Sequence, residues 1–182
     1  AKITALAWSP NNMKLGVCTS ERVVILFDDT GEKRDKFSTK PADSKYGKRS
    51  YIVMGMEFSP DSTKLAIGQT DNIVFVYKIG EDWNEKKVIC NKFVQTAAVT
   101  CMTWPSQGPL IVGLADGKVR AATMKTNKAS TLYSADSYVV SLVSNQEGTG
   151  FLSGHADGSI VRWYVADDQN ARPQVILILN DI

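Results

Sequence analysis

The residues best equipped for chemistry in this chain are one histidine, three cysteines, four spaced carboxylates and a run of basic side chains. His155 is the sole histidine and stands in Gly154-His155-Ala156-Asp157. A catalytic base needs a nucleophile and an orienting partner, and a metal needs further ligands. The sequence around His155 offers neither, so it reads as a hydrogen-bonded structural residue near Asp157. Glu21, Asp71, Asp116 and Asp157 recur at wide, similar intervals. Carboxylates spread in this way sit on separate repeats and read as turn-capping structural residues rather than a cluster. There is no glycine-rich phosphate loop, no Gly-x-Ser-x-Gly and no Cys-x-x-Cys. The expectation is a non-enzyme with no cofactor, no metal and no small-molecule substrate. Cys18 and Cys101 lie inside apolar stretches and Cys90 stands apart. Three unpatterned cysteines read as free thiols in a reducing compartment.

The basic run is the candidate contact surface. Lys33, Arg34, Lys36, Lys40, Lys45, Lys48 and Arg49 fall within residues 33–49, and a second charged loop, 80–87, carries Trp83. Two readings stay open: a solvated loop, or a surface for an anionic partner. Glu32, Asp35 and Asp43 dilute the charge, and only Phe37 and Tyr46 could stack on bases. Nucleic acid is therefore not expected. An acidic protein or a membrane headgroup surface fits equally well. The net charge of +2 adds no argument for either.

What must position these residues is a fourfold repeat. Glu21-Arg22-Val23-Val24-Ile25-Leu26-Phe27 returns as Asp71-Asn72-Ile73-Val74-Phe75-Val76-Tyr77. It returns again as Asp116-Gly117-Lys118-Val119-Arg120-Ala121-Ala122 and as Asp157-Gly158-Ser159-Ile160-Val161-Arg162-Trp163. A period of about 40–45 residues with several short strands per unit marks the blades of a β-propeller. Each unit opens on an inner strand ending in an aromatic: Leu6-Ala7-Trp8-Ser9-Pro10, Met56-Glu57-Phe58-Ser59-Pro60, Met102-Thr103-Trp104-Pro105. The proline removes a ladder donor and ends the strand. Asn11-Asn12 and Asp61-Ser62 then supply turn residues that tolerate left-handed backbone. Second strands are expected over 14–19, 64–69, 110–114 and 150–154, and fourth strands over 33–38, 88–93 and 129–133. Asp116-Gly117 and Asp157-Gly158 are strong hairpin signals. Trp8, Phe58 and Trp104 are expected to be buried between blades, and Trp83 to be exposed.

The fold class is thus all-β, a partial propeller of about four blades, each of three to four antiparallel strands, over 1–166. Residues 167–182 read as an atypical tail, a linker plus one strand-like run at 175–179. Apolar content of 43% and charged content of 22% suit a soluble domain. No apolar run reaches the roughly 18 residues of a membrane span. The start, Ala1-Lys2-Ile3-Thr4, has no initiating Met and reads as the cut edge of a longer protein. An open arc should expose apolar faces near Ile3 and Leu6 and over 161–165.

The repeats resemble WD40 repeats, with Phe27-Asp28, Tyr77-Lys78, Ala122-Thr123 and Trp163-Tyr164 in place of the Trp-Asp dipeptide. The stretches 31–43, 58–77, 78–93 and 153–158 are similar to the N-terminal WD40 region of the intraflagellar transport family that supplies the largest subunit of the intraflagellar transport B (IFT-B) complex. The likeness runs over about 2–165 and includes loops that a propeller does not require. The resemblance implies a structural adaptor whose partners are other IFT-B subunits. It implies a place in the cilium and at the ciliary base, on the cytoplasmic side, and secondarily membrane contact. The alternative expectations are a generic WD40 peptide-binding module and a coat-like membrane element using the loop 33–49.

Overall fold

The computed structural model describes residues 1–43 and 50–164 in full and the backbone of 172–178. Lys45, Lys48 and Arg49 lie outside the described residues. Among the described residues sixteen strands occur in chain order. The first sheet holds β1 (Ile3–Trp8), β2 (Leu15–Thr19), β3 (Val23–Phe27) and β4 (Lys33–Ser38). The second holds β5 (Val53–Phe58), β6 (Lys64–Gln69), β7 (Ile73–Lys78) and β8 (Val88–Val94). The third holds β9 (Val99–Thr103), β10 (Leu110–Leu114), β11 (Lys118–Thr123) and β12 (Lys128–Ser134). The fourth holds β13 (Val139–Ser144), β14 (Gly150–His155), β15 (Ser159–Tyr164) and β16 (Arg172–Ile178). Every neighbouring pair is antiparallel and follows chain order. No helix occurs among the described residues.

The sheets are arranged as blades. Their inner strands touch in succession, β1 with β5, β5 with β9 and β9 with β13, and among the described residues no comparable contact joins β13 back to β1. The arc is an open part of a propeller. β16 pairs along β15 from Ser159↔Ile178 to Tyr164↔Arg172, so the run after Asp168 supplies the outer strand of the fourth blade.

Side-chain alternation explains the layering. In β7 all of Ile73 to Tyr77 is buried, because blade one covers one face and blade three the other. Phe75 and Tyr77 join Cys18, Leu26, Phe58 and Leu65 in the cluster between blades one and two. Val74 and Val76 join Phe93, Met102, Leu110 and Ala122 between blades two and three. Trp163, Phe151, Val161 and Val139 meet Ile111, Val119 and Ala121 between blades three and four.

The turns follow the residue types. Asn12 and Ser62 hold φ of 61° and 63° after the inner strands, as the Asn and Ser placed there allow. The turn before each third strand holds Arg22, Asn72, Gly117 and Gly158 at φ of 64°, 66°, 86° and 84°. At Gly117 a Cβ would fall on the Ala135 carbonyl oxygen, so the residue is fixed by close approach as well as by φ. A bulge interrupts the inner strand of every blade near its start: between Ile3 and Ala5, Val53 and Gly55, opposite Gly113–Leu114, and between Val139 and Ser141.

Three expectations change. Trp8 is 53% exposed and Trp104 half-buried, whereas Phe58 is 3% exposed. Each packs toward the preceding blade, and for Trp8 this chain supplies none. Trp83 is half-buried, packed against the cluster between blades one and two. The exposed face of blade four is built by Val140, Val143, Leu152 and Tyr164, while Val161 and Trp163 face blade three and are fully buried.

Candidate functional site

The two ends of the blades form two rims, and the basic run is divided between them. β4 spans from one rim to the other, a rise of about 3.3 Å per residue, so Lys33 and Lys40 stand roughly 20 Å apart. Lys33 and Arg34 lie at the end shared with the turn 28–32. Arg34 Nη1 is 3.6 Å from Asp28 Oδ2 and 3.6 Å from Glu32 Oε2. Its guanidinium lies 5.6 Å from the centre of the Trp83 ring, and Lys14 Nζ lies 4.7 Å from the same ring. Lys14 also donates to the carbonyls of Gly80 and Glu81 at 3.0 and 2.8 Å. Lys87 Nζ donates to Asp35 Oδ2 at 2.6 Å. Trp83, Arg34, Lys14 and Lys87 therefore clamp the loop 80–87 of blade two onto blade one. Trp83 is half-buried beneath these contacts, while Arg34 stays exposed. Burial, then the charge of Lys87, lowers the Lys14 pKa.

The opposite rim carries the four turn acids and the connections between blades. Thr39, Gln95 and Ala135 each donate a backbone N–H to the turn of their own blade, at Arg22, Asn72 and Gly117. Residues 95–98 and 135–138 complete the later connections, four residues each, but the first runs over 39–52, fourteen residues. Lys40 is exposed at the start of this insertion, and Lys36 is exposed along β4.

The turn acids do different work. Asp157 accepts from Ser159 N at 2.9 Å and Ser159 Oγ at 2.7 Å, and the Ser159 hydroxyl above all lowers its pKa. Asp116 accepts from Lys118 N at 3.3 Å, Lys118 Nζ at 2.6 Å and Thr96 Oγ1 at 2.8 Å. Both cap their turns. Asp71 does not; its carboxylate accepts from Ala42 N at 2.7 Å and Gln69 Nε2 at 3.0 Å. Glu21 is exposed and caps nothing, since the extra methylene of Glu does not close the Asx-type turn.

His155 bonds to Ser153 rather than Asp157. Its Nε2 lies 2.9 Å from Ser153 Oγ, which accepts from the Trp163 indole N–H at 3.0 Å. All three are buried, and Trp163 stacks on Phe151 at 5.4 Å between ring centres. This network holds blade four together and offers no open nucleophile. Thr19, Gln69, Leu114 and His155 stand at the same register, the residue paired with Ile3, Val53, Val99 and Val139. Aligning the repeats at the end of the second strand would have singled out Gln69, which the reading by turn acids missed.

Glu57 lies half-buried on β5, its pKa pushed up to about 7 by burial. Burial likewise raises Cys101 to about 11, which leaves a poor nucleophile. Among the described residues no group of three or more His, Cys, Asp or Glu could hold a metal ion. A cleft of about 880 Å³ between blades three and four is lined by Trp104, Leu110, Met124, Leu132 and Phe151, with Lys125 and Glu147 its only ionisable lining groups.

Comparison with known proteins follows this geometry. Residues 88–121 match the model of the WD domain, G-beta repeat. That span starts with β8 of one blade and ends in β11 of the next, so the matched repeat bridges two blades. The β-propeller domain of Cps50 (Swd1) from Myceliophteria thermophila superposes with a TM-score of 0.73 at 18% identity, covering 99% of this chain and 59% of that one. The fold is a partial WD40-type β-propeller. Within that class the chain is similar to the intraflagellar transport protein 172 homologues. It is 64% identical to the homologue from Rattus norvegicus across 98% of its length, a span that takes in most of the tail after Asp168. It is 48% identical to the protein from Chlamydomonas reinhardtii across 94%. The chain spans about a tenth of the length of these relatives.

Proposed function

We propose that the chain is a non-catalytic scaffold propeller of the IFT-B complex, serving ciliary cargo transport and cilium assembly through protein–protein contacts. Its place is the cilium and ciliary base, on the cytoplasmic side. The observation that carries this reading is 64% identity over 98% of the chain to a protein named for intraflagellar transport. The geometry supports a binding role, since the polar residues at hand are consumed in turns and seams. The contact surface is the insertion 39–52, with Lys40, Lys45, Lys48 and Arg49, and its partner is an acidic surface of another IFT-B subunit. A connection of fourteen residues where four suffice elsewhere is the kind of loop that carries function. Tagging the full-length protein in ciliated cells tests the reading. Particles moving along the axoneme are expected; a uniform cytosolic signal overturns it.

A further inference from the structure

On the rim that carries Trp83, blades one and two meet at a slot that the chain fills for itself. Trp83 enters it from blade two, beside Lys14, which precedes β2, and Arg34 on β4. Lys87 Nζ then reaches Asp35, the residue of β4 that pairs with Leu26. The seam between blades two and three is closed at the same register. Asn91, which pairs with Val76, donates to Met124 O at 3.0 Å and to Asn127 Oδ1 at 3.1 Å.

Between blades three and four the same place is the cleft of about 880 Å³. Leu26 and Ala121 each stand five residues after their turn acids, Glu21 and Asp116, and Ala121 pairs with Ser130. Ser130 is therefore the counterpart of Asp35. Pro109, which precedes β10, is the counterpart of Lys14. Both line the cleft. The ammonium and carboxylate that hold a charged loop in the first seam are thus replaced by a pyrrolidine ring and a small hydroxyl. Met124, Leu132 and Phe151 add a thioether, an isobutyl group and a ring to the wall, which are favourable contacts for another aromatic ring. Charge sits only on the lips, as Lys125 of blade three and Glu147 of blade four. Both are exposed, and neither side chain has a hydrogen bond or ion pair among the described residues.

We propose that this cleft is a docking site for an extended segment of another protein, anchored by one aromatic side chain, with an acidic residue on the Lys125 side and a basic residue on the Glu147 side. Trp83 shows the kind of side chain that such a seam accepts, and the opposite charges of the two lips set the polarity of the segment across it. The cleft is of the size of ordinary binding pockets, about 300–1,000 Å³. An aromatic anchor in a pocket, surrounded by polar contacts, is the usual form of a protein-binding hot spot. The site lies on the rim opposite the insertion 39–52, so it stands or falls separately from the acidic-partner reading above.

Fluorine NMR with the full-length protein tests the proposal. The probes are the pentapeptide Glu-Gly-Trp-Gly-Lys, carrying 5-fluorotryptophan, and the same peptide in reverse order, which together cover both chain directions. At least one should broaden when the protein is added. Its unlabelled form should compete, and a form with Ala in place of Trp should compete roughly tenfold more weakly or worse. Ser130→Trp, which fills the slot from within, should abolish the broadening. Lys125→Glu should weaken binding several-fold, and a peptide with Lys in place of Glu should recover it. Lys33→Glu, exposed on the same rim but outside the cleft, should change nothing. Thermal melts within a few degrees of the parent exclude unfolding as the cause. A parent that ignores both peptides overturns the proposal, whether a second copy or the chain's own residues fill the cleft. Equal competition by the Ala form overturns the aromatic anchor. Broadening that survives Ser130→Trp puts the peptide elsewhere and overturns the site. Binding indifferent to Lys125→Glu overturns the assigned polarity.

Discussion

Trp8 and Phe58 occupy the same place in successive blades, opposite Leu15 and Leu65, yet one is 53% exposed and the other 3%. Phe58 reaches the first blade, where its ring edge comes within 3.6 Å of where a Cβ on Gly16 would sit. Within this chain no blade lies on the Trp8 side of the first sheet. The pair shows that burial here is conferred by the neighbouring blade rather than by the residue's own sheet.

This relationship sets a first expectation. Phe58→Ala should cost about 3–5 kcal/mol, the range for removing a large core side chain. Trp8→Ala should cost under about 1 kcal/mol in this chain. Urea melts of both variants decide it, and equal losses would contradict the assignment of faces.

Trp163 offers a second. Its indole N–H and Ser153 Oγ are buried together, so Ser153→Ala leaves a donor unsatisfied. The expected loss is about 1–3 kcal/mol. Ser153→Thr, which keeps the hydroxyl, should recover part of it. A neutral Ser153→Ala would show that the network is dispensable.

Glu57 sets a pH dependence. Its native pKa, raised to about 7 by burial, stands above the unfolded value near 4.5. The native state therefore holds its proton longer, and stability falls as pH rises from about 4.5 to 7. Glu57→Gln should stabilise the chain at pH 8, by about 2 kcal/mol at 1.36 kcal/mol per pKa step after allowing for partial exposure. At pH 4 it should change little. Equal effects at both values would show that the carboxyl is not held neutral by burial.

Gly117 tests the close approach. With φ of 86° and the Ala135 carbonyl where a Cβ would lie, Gly117→Ala should destabilise by more than the roughly 1 kcal/mol of an ordinary left-handed strain. Chemical melts measure it; a loss below that figure would mean that the connection 135–138 yields easily.

Much of the fold was legible because turn chemistry and strand alternation are local. Asp116-Gly117 and Asp157-Gly158 mark their hairpins, and the proline after Trp8 and Phe58 marks the strand ends. β13 was not legible, since Ser144-Asn145 replaces the aromatic and proline that end the other inner strands. The candidate surface was legible only in part. A run of charge along the chain says nothing of which rim each residue reaches, and β4 separates Lys33 at its start from Lys40, two residues past its end. Trp83 looked exposed in a charged loop, yet Lys14 and Arg34 close on its ring from blade one, a contact between distant segments. The diversion of Asp71 is equally non-local, because its partner Ala42 belongs to another blade's connection.

The central claim is that these four blades are an open arc with apolar faces at both ends, Ile3, Leu6 and Trp8 on one and Val140, Val143 and Leu152 on the other. Static light scattering across a concentration series tests it most directly. Open faces of this kind drive association, so the weight-average mass should climb well above 20.0 kDa as concentration rises. A mass fixed at 20.0 kDa at every concentration, with a single cooperative melt, would contradict the arc and require a closed four-bladed ring.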